Sequence, residues 1–368
     1  MSERTALVLG TSTGGVGRHV AMLAEGLTRE GHRVVVAGPP GTREVFAFER
    51  FGAVFLPVPI SDRPRPLHDL RAVRVLRGLR GADVVHAHGL RAGALAALAL
   101  AGTGTGLVVT LHNAATAGGA VGTVYALLER IVARLADRIL VVSPDLGERM
   151  TGLGARNVAA AVVPAPVLTP SGRSAQDVRA GLGVGGRPVL LTVARLAQQK
   201  GLETLLDVAS AFAGRENTEG PVFLVAGDGP LRGPLEERVA REGLPVRLLG
   251  NREDIGDLLT VAGALVVPSR WEGQPLVVQE ALRAGTPVIA TAVGGIPPMV
   301  GDAGLLVPYG DAVALRGAVG RLLADGGLAT ALREAAVRRG RELPGAVEAL
   351  EAVREVYGDL RGDRGGIT

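Results

Sequence analysis

The stretch Ala6-Leu-Val-Leu9-Gly10-Thr-Ser-Thr-Gly14-Gly15-Val-Gly17-Arg-His19-Val20-Ala-Met-Leu23-Ala24-Glu-Gly-Leu27-Thr-Arg-Glu-Gly31-His-Arg-Val34-Val-Val-Ala37 decides the fold. Ala6–Leu9 is short and continuously apolar, as a strand covered on both faces must be. Val20, Leu23, Ala24 and Leu27 then fall on one stripe of a helix that stops at Gly31. Val34–Ala37 opens the next apolar run. A strand, a glycine-rich turn, an amphipathic helix and a second strand make the repeating unit of a parallel sheet.

The unit recurs along the chain. Further apolar runs are Val54–Leu56, Val84–Val85, Leu107–Leu111 and Ile139–Val142. A second series follows at Val189–Val193, Val222–Ala226, Val246–Leu249, Ala264–Val267, Val288–Ala290 and Leu305–Val307. The expected class is α/β, with two doubly wound Rossmann-like domains facing across a cleft. The stretch from Pro164 to Pro188, rich in proline, glycine and serine, reads as the connection between them. The expected domains are residues 1–170 and 171–345. Residues 346–368 are expected to form a C-terminal helix that packs back towards the first domain, with a flexible polar tail from Arg361. A chain of 368 residues exceeds the size at which one core stays single.

Composition narrows the function. Hydrophobic residues make up 47% and charged residues 21% of the chain, which suits a globular protein. There is no cysteine, so disulfides and thiolate chemistry are excluded. The net charge of +4 comes with no block of one sign, which argues against a nucleic-acid partner. No targeting signal is visible at the N-terminus. The most apolar stretch, Gly93 to Thr110, is broken by Gly102-Thr-Gly-Thr-Gly106 and is a poor membrane span. The expected location is therefore cytoplasmic, with peripheral contact at the inner membrane face left open.

Three motifs carry chemistry. The loop Gly10 to Gly17 lies between strand and helix, where glycines admit a ligand to the backbone and helix N–H groups face an anion. It lacks the Gly-Lys-Ser/Thr of a P-loop. It also lacks the third glycine of a dinucleotide fingerprint, and the next strand ends in Ala37-Gly38 where an acid would hold a ribose. A tight turn without a ligand is the competing reading. The second motif is Arg195-Leu-Ala-Gln-Gln-Lys200-Gly201, after strand Val189–Val193. Two fixed cations there can flank a diphosphate, although a pair of solvated surface charges is the ordinary alternative. Lys200 is the only lysine among 40 basic residues, which suggests that a compact ammonium is required. The third motif is Pro268-Ser-Arg-Trp-Glu272-Gly-Gln274-Pro275-Leu276-Val277-Val-Gln-Glu280-Ala-Leu282. Pro275 suits the first helical position. Glu272 then lies in the loop, Glu280 on the second turn, and the N–H groups of Leu276 and Val277 face whatever lies between. Acids favoured by a helix N-terminus offer a purely structural reading of the two glutamates.

Together these stretches resemble glycosyltransferase family 4, of GT-B architecture. The resemblance runs from Gly14 to about Pro308. It includes His86-Ala-His88-Gly89, Thr110-Leu-His112-Asn113, Val141-Val-Ser143, Val225-Ala-Gly227-Asp-Gly229-Pro230, the Glu272/Glu280 pair, Ala284-Gly-Thr-Pro-Val-Ile-Ala290 and Gly294-Gly295-Ile. Each piece is weak alone, and their order and spacing are specific. The resemblance implies a retaining, metal-independent transferase that moves a hexosyl or N-acetylhexosaminyl group from a nucleotide diphosphate, such as UDP or GDP, to an acceptor. The acceptor would be a glycan, a lipid-linked sugar or a small molecule. Arg195 and Lys200 match the cations on the diphosphate, Glu272 the acid beside the donor sugar, and Glu280 the acid on the ribose. Leu276 and Val277 match backbone donors, Gly15 the N-terminal loop near the diphosphate, and His112 a histidine near the reacting sugar. Arg252 is expected near the base. The nucleotide sugar is a substrate, so no cofactor is expected, and no Asp-x-Asp pair for a metal is present. The chain departs from the family at Val163-Pro-Ala-Pro166, where Pro-Asn-Gly is usual, and at Gln274, where an aromatic residue is common.

The histidines have structural readings too. His86 and His88 alternate at a strand end, so only one is expected to face the cleft. No third ligand lies near enough in sequence for a metal site. The segment with Arg63, Arg65, Arg71, Arg74, Arg77 and Arg80 is basic, with Leu70, Val73, Leu76 and Leu79 interleaved. Docking of that apolar stripe on the sheet is favoured over contact with an anionic membrane surface. The rival functions are a sugar-nucleotide epimerase or hydrolase, a non-enzymatic sugar-binding protein, and a nicotinamide dehydrogenase. The defective fingerprint opposes the last.

Overall fold

The computed structural model of the chain describes residues 3–12, 14–61, 63–114, 119–168, 171–214 and 220–365. The chain divides into two compact units. One comprises Met1–Pro164 with Pro344–Thr368, the other Ala165–Leu343. The division falls a few residues from the expected edges at 170 and 345.

The first unit holds β1 (Arg4–Leu9), β2 (Arg33–Gly38), β3 (Val54–Pro57), β4 (Val84–His88), β5 (Gly106–Leu111), β6 (Arg138–Val141) and β7 (Val158–Ala160). They pair in the order β3-β2-β1-β4-β5-β6-β7, and every pairing is parallel. The chain direction across the sheet reverses between β1 and β4, the position where open α/β sheets take ligands. Register sets Leu9 beside His88 and His88 beside Thr110, so the loops after β1, β4 and β5 leave from one edge. Helices α1 (Gly15–Arg29), α2 (Pro40–Phe46), α3 (Pro66–Leu76), α4 (Leu90–Leu100), α5 (Gly119–Leu135) and α6 (Pro144–Gly152) connect these strands. The stripe Val20, Leu23, Ala24 and Leu27 of α1 is buried, as its spacing predicts.

The second unit holds β8 (Val189–Val193), β9 (Val222–Ala226), β10 (Val246–Gly250), β11 (Ala264–Val267), β12 (Val288–Thr291) and β13 (Gly304–Val307), parallel in the order β10-β9-β8-β11-β12-β13. Its reversal lies between β8 and β11. Both faces are covered because successive residues point to opposite sides. Leu191, Leu224 and Leu265 enter one core layer. Leu190, Phe223 and Val266 enter the other. Truncating one of these leucines to alanine costs about 2–5 kcal/mol.

The stretch after Pro164 is not a free connection. It carries α7 (Ala175–Gly181), which buries Val178 and begins at Ser174, whose hydroxyl accepts from the Asp177 N–H. Its polar composition serves a capped helix that packs on α10 (Ile255–Val261). Helices α8 (Leu202–Ser210) and α9 (Arg232–Glu242) precede α10, and α11 (Leu276–Arg283), α12 (Ile296–Val300), α13 (Ala312–Ala324) and α14 (Gly326–Glu342) follow it. The last helix, α15 (Ala346–Gly365), belongs to the first unit. It continues past Arg361, where the sequence reading ends it, and 366–368 lie outside the described residues. Its buried positions are Ala349, Val353, Tyr357 and Leu360, at helical spacing.

Candidate functional site

In the second unit the site is built where β8 and β11 end. Arg195 follows β8 and is exposed. A single turn, Gln198–Lys200, then leads into α8 through Gly201, whose φ is +62°. A Cβ at Gly201 would overlap the Pro268 carbonyl oxygen, so only glycine lets this loop lie against the end of β11. Two hydrogen bonds fasten the loops. Arg270 N–H donates to Gln199 O at 2.8 Å, and the Gln199 amide donates to Trp271 O at 3.0 Å.

This packing brings Lys200 and Glu272 together. Lys200 Nζ donates to Glu272 Oε1 at 2.6 Å, and Ser269 Oγ donates to the same oxygen at 2.6 Å. The Ser269 carbonyl in turn accepts from Thr291 Oγ1 at 2.5 Å. The side chain of Glu272 is 9% exposed and that of Lys200 24%, so the ammonium is the accessible partner. Gly295 N–H donates to the Glu272 carbonyl at 3.0 Å. Gly294, at φ +54°, is the second position that needs glycine, since a Cβ there would collide with that carbonyl. Lys200 and Glu272, which the family resemblance assigns to different parts of a donor, are therefore each other's partner here.

Helix α11 starts one residue later than the proline rule predicts. Pro275 is its cap, at φ −66° and ψ 117°, and Leu276 is its first residue. The extended ψ takes Pro275 out of the helix while its carbonyl accepts from Val278 N–H. Leu276 and Val277 fill the first two helical positions, where N–H groups have no acceptor within the helix. Glu280 sits on the second turn, half-buried. Arg252, after β10, is held elsewhere. It donates to both Asp254 oxygens, at 2.8 and 2.6 Å. Asp254 also pairs with Arg173, which bridges to Asp257 at 2.7 Å. The Ser171 and Arg173 bonds hold the Asp257 carboxyl down at about 2. Arg252 thus borders an ion network that ties α10 to the segment before α7.

In the first unit the corresponding edge is lined with histidine. His86 and His88 point the same way, with ring centroids 4.2 Å apart. The expectation that only one faces the edge is wrong, because residues two apart on a strand share a face. His86 Nδ1 and Tyr357 Oη of α15 are 2.8 Å apart, and His86 Nε2 lies 2.7 Å from Thr110 Oγ1. His88 Nδ1 lies 3.2 Å from His112 Nε2. His19 of α1 packs edgewise on both, 5.5 Å from His88 and 5.6 Å from His112. Burial pushes His19 down to about 4 and His86 to about 3, and pushes His88 and His112 well below the usual imidazole range. All four are neutral at pH 7. Among the described residues no group of three or more His, Asp or Glu is arranged to hold a metal ion.

His88 and His112 border a cavity of about 410 Å³ in this unit, with Thr11, Ser61, Asn113 and Tyr125 on its walls. Gly15 is the first residue of α1, and Gly14 is its cap. Gly17 serves packing rather than a ligand, since a Cβ there would enter the Phe46 ring of α2. Its N–H donates to Ser12 Oγ at 3.0 Å. Ser269, Tyr357 and His19 are not singled out by the sequence reading. For Tyr357 the available signal is its place on the buried stripe of the last helix.

Two family descriptions match the chain. Residues 14–166 match "Glycosyl transferase 4-like domain" and residues 187–325 match "Glycosyl transferases group 1". The chain belongs to the group 1, 4-like glycosyl transferases. A 2-deoxystreptamine N-acetyl-D-glucosaminyltransferase of Streptomyces fradiae is 36% identical over 167 residues, covering 44% of this chain and 39% of that protein. A D-inositol 3-phosphate glycosyltransferase of Acidothermus cellulolyticus is 32% identical over 288 residues, 69% of this chain and 62% of its own length. The matched stretches thus span less than two thirds of these relatives. Among solved structures, Anabaena HepE in complex with UDP shares the fold, with a TM-score of 0.81 at 19% identity over 97% of this chain and all of that one.

Proposed function

We propose that this glycosyl transferase moves a sugar from a nucleotide diphosphate to an acceptor hydroxyl, with retention of anomeric configuration and without a metal. The observation that carries the reading is the Lys200–Glu272 pair, made by the chain's only lysine beside the start of α11. A diphosphate arriving there exchanges with the carboxylate for the more accessible ammonium. Arg195 supplies a second cation, and the N–H groups of Leu276 and Val277 supply oriented donors. Glu272, released from Lys200 but still held by Ser269, takes sugar hydroxyls, and Glu280 takes the ribose. As the bond from sugar to diphosphate breaks, negative charge grows on the phosphate, where Arg195 and Lys200 stabilise it. In the first unit, neutral His112 offers a hydrogen-bonding group at the end of β5, and Gly15 opens the α1 terminus beside it. Arg252 contacts the base only by exchanging Asp254 for it.

Solved relatives of the fold include HepE with UDP and with UDP-glucose, which supports a nucleotide-sugar donor here. Thermal shift with UDP, GDP, ADP and their sugars tests this reading, because preferential binding raises the melting temperature of the folded state. Stabilisation by one nucleotide family is expected. Silence across the whole panel would remove the proposal. Epimerised or free sugar as the main product, with acceptor present, would favour the epimerase or hydrolase instead.

Peripheral contact with an anionic lipid surface is part of the same reading. Leu67 and Leu70 of α3 are 82% and 62% exposed, so Leu70 is not buried as the stripe predicts, whereas Ala72 and Leu76 are buried and α3 packs on α4. Arg63, Arg65, Arg71 and Arg74 surround them in exposed positions. Arg77 and Arg80 are exposed as well and complete the basic surface, although the Arg77 guanidinium also donates to the Ala99 carbonyl. Among the described residues no helix is long and apolar enough to cross a membrane. Flotation with phosphatidylglycerol vesicles, against phosphatidylcholine vesicles, tests the contact.

A further inference from the structure

The cavity of the first unit carries a statement about the acceptor. Its described walls present hydroxyls from Thr11, Ser61 and Tyr125, the Asn113 amide, and the rings of His88 and His112. Among the described lining residues one charged side chain, Arg91, reaches it, and that charge is already matched. Arg91 donates to Asp69 Oδ1 at 2.5 Å and to the Ser61 carbonyl at 2.7 Å. Both partners of the ion pair are mostly covered, at 10% and 19% exposure. Ile60, Val16 and Leu90 supply apolar patches between the polar groups.

We propose that this cavity binds an uncharged, hydroxyl-rich acceptor, a neutral sugar or cyclitol, and discriminates against phosphorylated and amino-substituted ones. The inference rests on the transferase reading above and names the substrate class for it. A phosphate taken into the cavity would meet the N–H groups at the start of α4 but no free cation among the described lining residues. An ammonium would find no free carboxylate among the described lining residues. Burial of either charge unpaired is costly. A sugar hydroxyl, in contrast, both donates and accepts, as do the hydroxyls, amide and neutral imidazoles that meet it. Apolar patches then face the C–H surfaces of the ring.

The imidazoles are kept neutral by their surroundings on every side. His88 meets His86 of its own strand, His112 of β5 and His19 of α1, while His86 is closed off by Thr110 and by Tyr357 of α15. None of these neighbours is anionic, so nothing favours an imidazolium. Burial pushes each ring in the same direction. The two rings on the cavity wall therefore stay uncharged across the neutral pH range.

The test uses the whole chain saturated with UDP and three matched probes: methyl α-D-glucoside, glucose 6-phosphate and glucosamine. Saturation-transfer NMR and titration report binding. The neutral glucoside is expected to bind at least about tenfold more tightly than either charged analogue, a difference of about 1.4 kcal/mol. Leu90→Lys, which places a cation on the cavity wall, is expected to turn the preference towards glucose 6-phosphate. Tyr125→Phe serves as a milder check and should weaken the glucoside alone. Tighter binding of either charged probe by the native chain overturns the proposal. So does a failure of all three to bind while UDP still does, and that result leaves the donor reading standing. Failure of UDP itself to bind removes the reading on which the inference rests.

Discussion

The two units share a strand order around their reversal points and differ in what they place there. The first sets four neutral imidazoles and several hydroxyls at the edge of β1, β4 and β5. The second sets cations, carboxylates and an open helix start at the edge of β8 and β11. The same backbone scaffold thus carries two kinds of surface at its reversal point, one offering hydrogen bonds without charge and one offering charge. The difference is written mainly in the residues at the strand ends and in the loops, because the strands beneath are apolar in both.

The contrast can be broken most sharply at Lys200. Lys200→Ala is expected to lower turnover by about 10²–10³-fold, as loss of a transition-state donor does, and to lower the melting temperature as well, because the covered Glu272 carboxylate loses its partner. Steady-state kinetics beside a thermal melt checks both halves, and near-native turnover would take the charge-based role away from this loop. Gly201→Ala comes next. The substitution adds left-handed backbone strain of about 1–2 kcal/mol and a clash with the Pro268 carbonyl, so stability and donor binding should fall together. Thermal melts with and without UDP read both effects.

Acid should act first through the other unit. The folded imidazoles remain neutral while unfolded ones take up protons near pH 6.5. Their contribution is therefore complete above about 6.5 and is lost as pH falls towards 4 and below. Each histidine contributes a slope of about 1.4 kcal/mol per pH unit over that window. Melting curves from about pH 7 to about pH 4.5 should show the fall, and a His19→Phe variant should show a shallower one. The smallest expected effect is that of Tyr357→Phe. Loss of one buried hydrogen bond to His86 should cost about 1–2 kcal/mol while UDP binding is unaffected. A large loss of UDP binding would show that the two regions are not independent.

Much of this architecture was legible in the chain. All of the apolar runs read as strands from the sequence are strands, most because a strand covered on both faces must be apolar throughout, while β3 lies at the sheet edge with Val54 exposed. The strand that went unnoticed, β7, is three residues long and largely exposed, and Val-Ala-Ala carries no burial signal. Lys200 stood out as the chain's only lysine, Glu272 through the family resemblance, and the start of α11 was legible to within one residue from the rule for proline. Their mutual pairing was not, since it depends on Gly201 and Gly294 letting two loops approach. The histidine block was missed for a different reason. Its members come from α1, β4 and the end of β5, and the tyrosine that anchors it lies 271 residues beyond His86. The stretch from Pro164 to Pro188 does begin at the division between the units, and it also carries α7, since proline, glycine and serine mark capped helix ends as well as linkers.

That long separation has a consequence for how the protein is made. The first sheet is translated early, yet α15, which buries Ala349, Val353 and Tyr357 in that unit, is translated only after the whole second unit. Until then His86 has no phenol to meet, and the groove that α15 fills is open to water. The second unit is contained between these two pieces of chain and can fold while the first waits. A stop codon after Leu343 would therefore keep every residue of the second unit while leaving the first without the helix that covers His86.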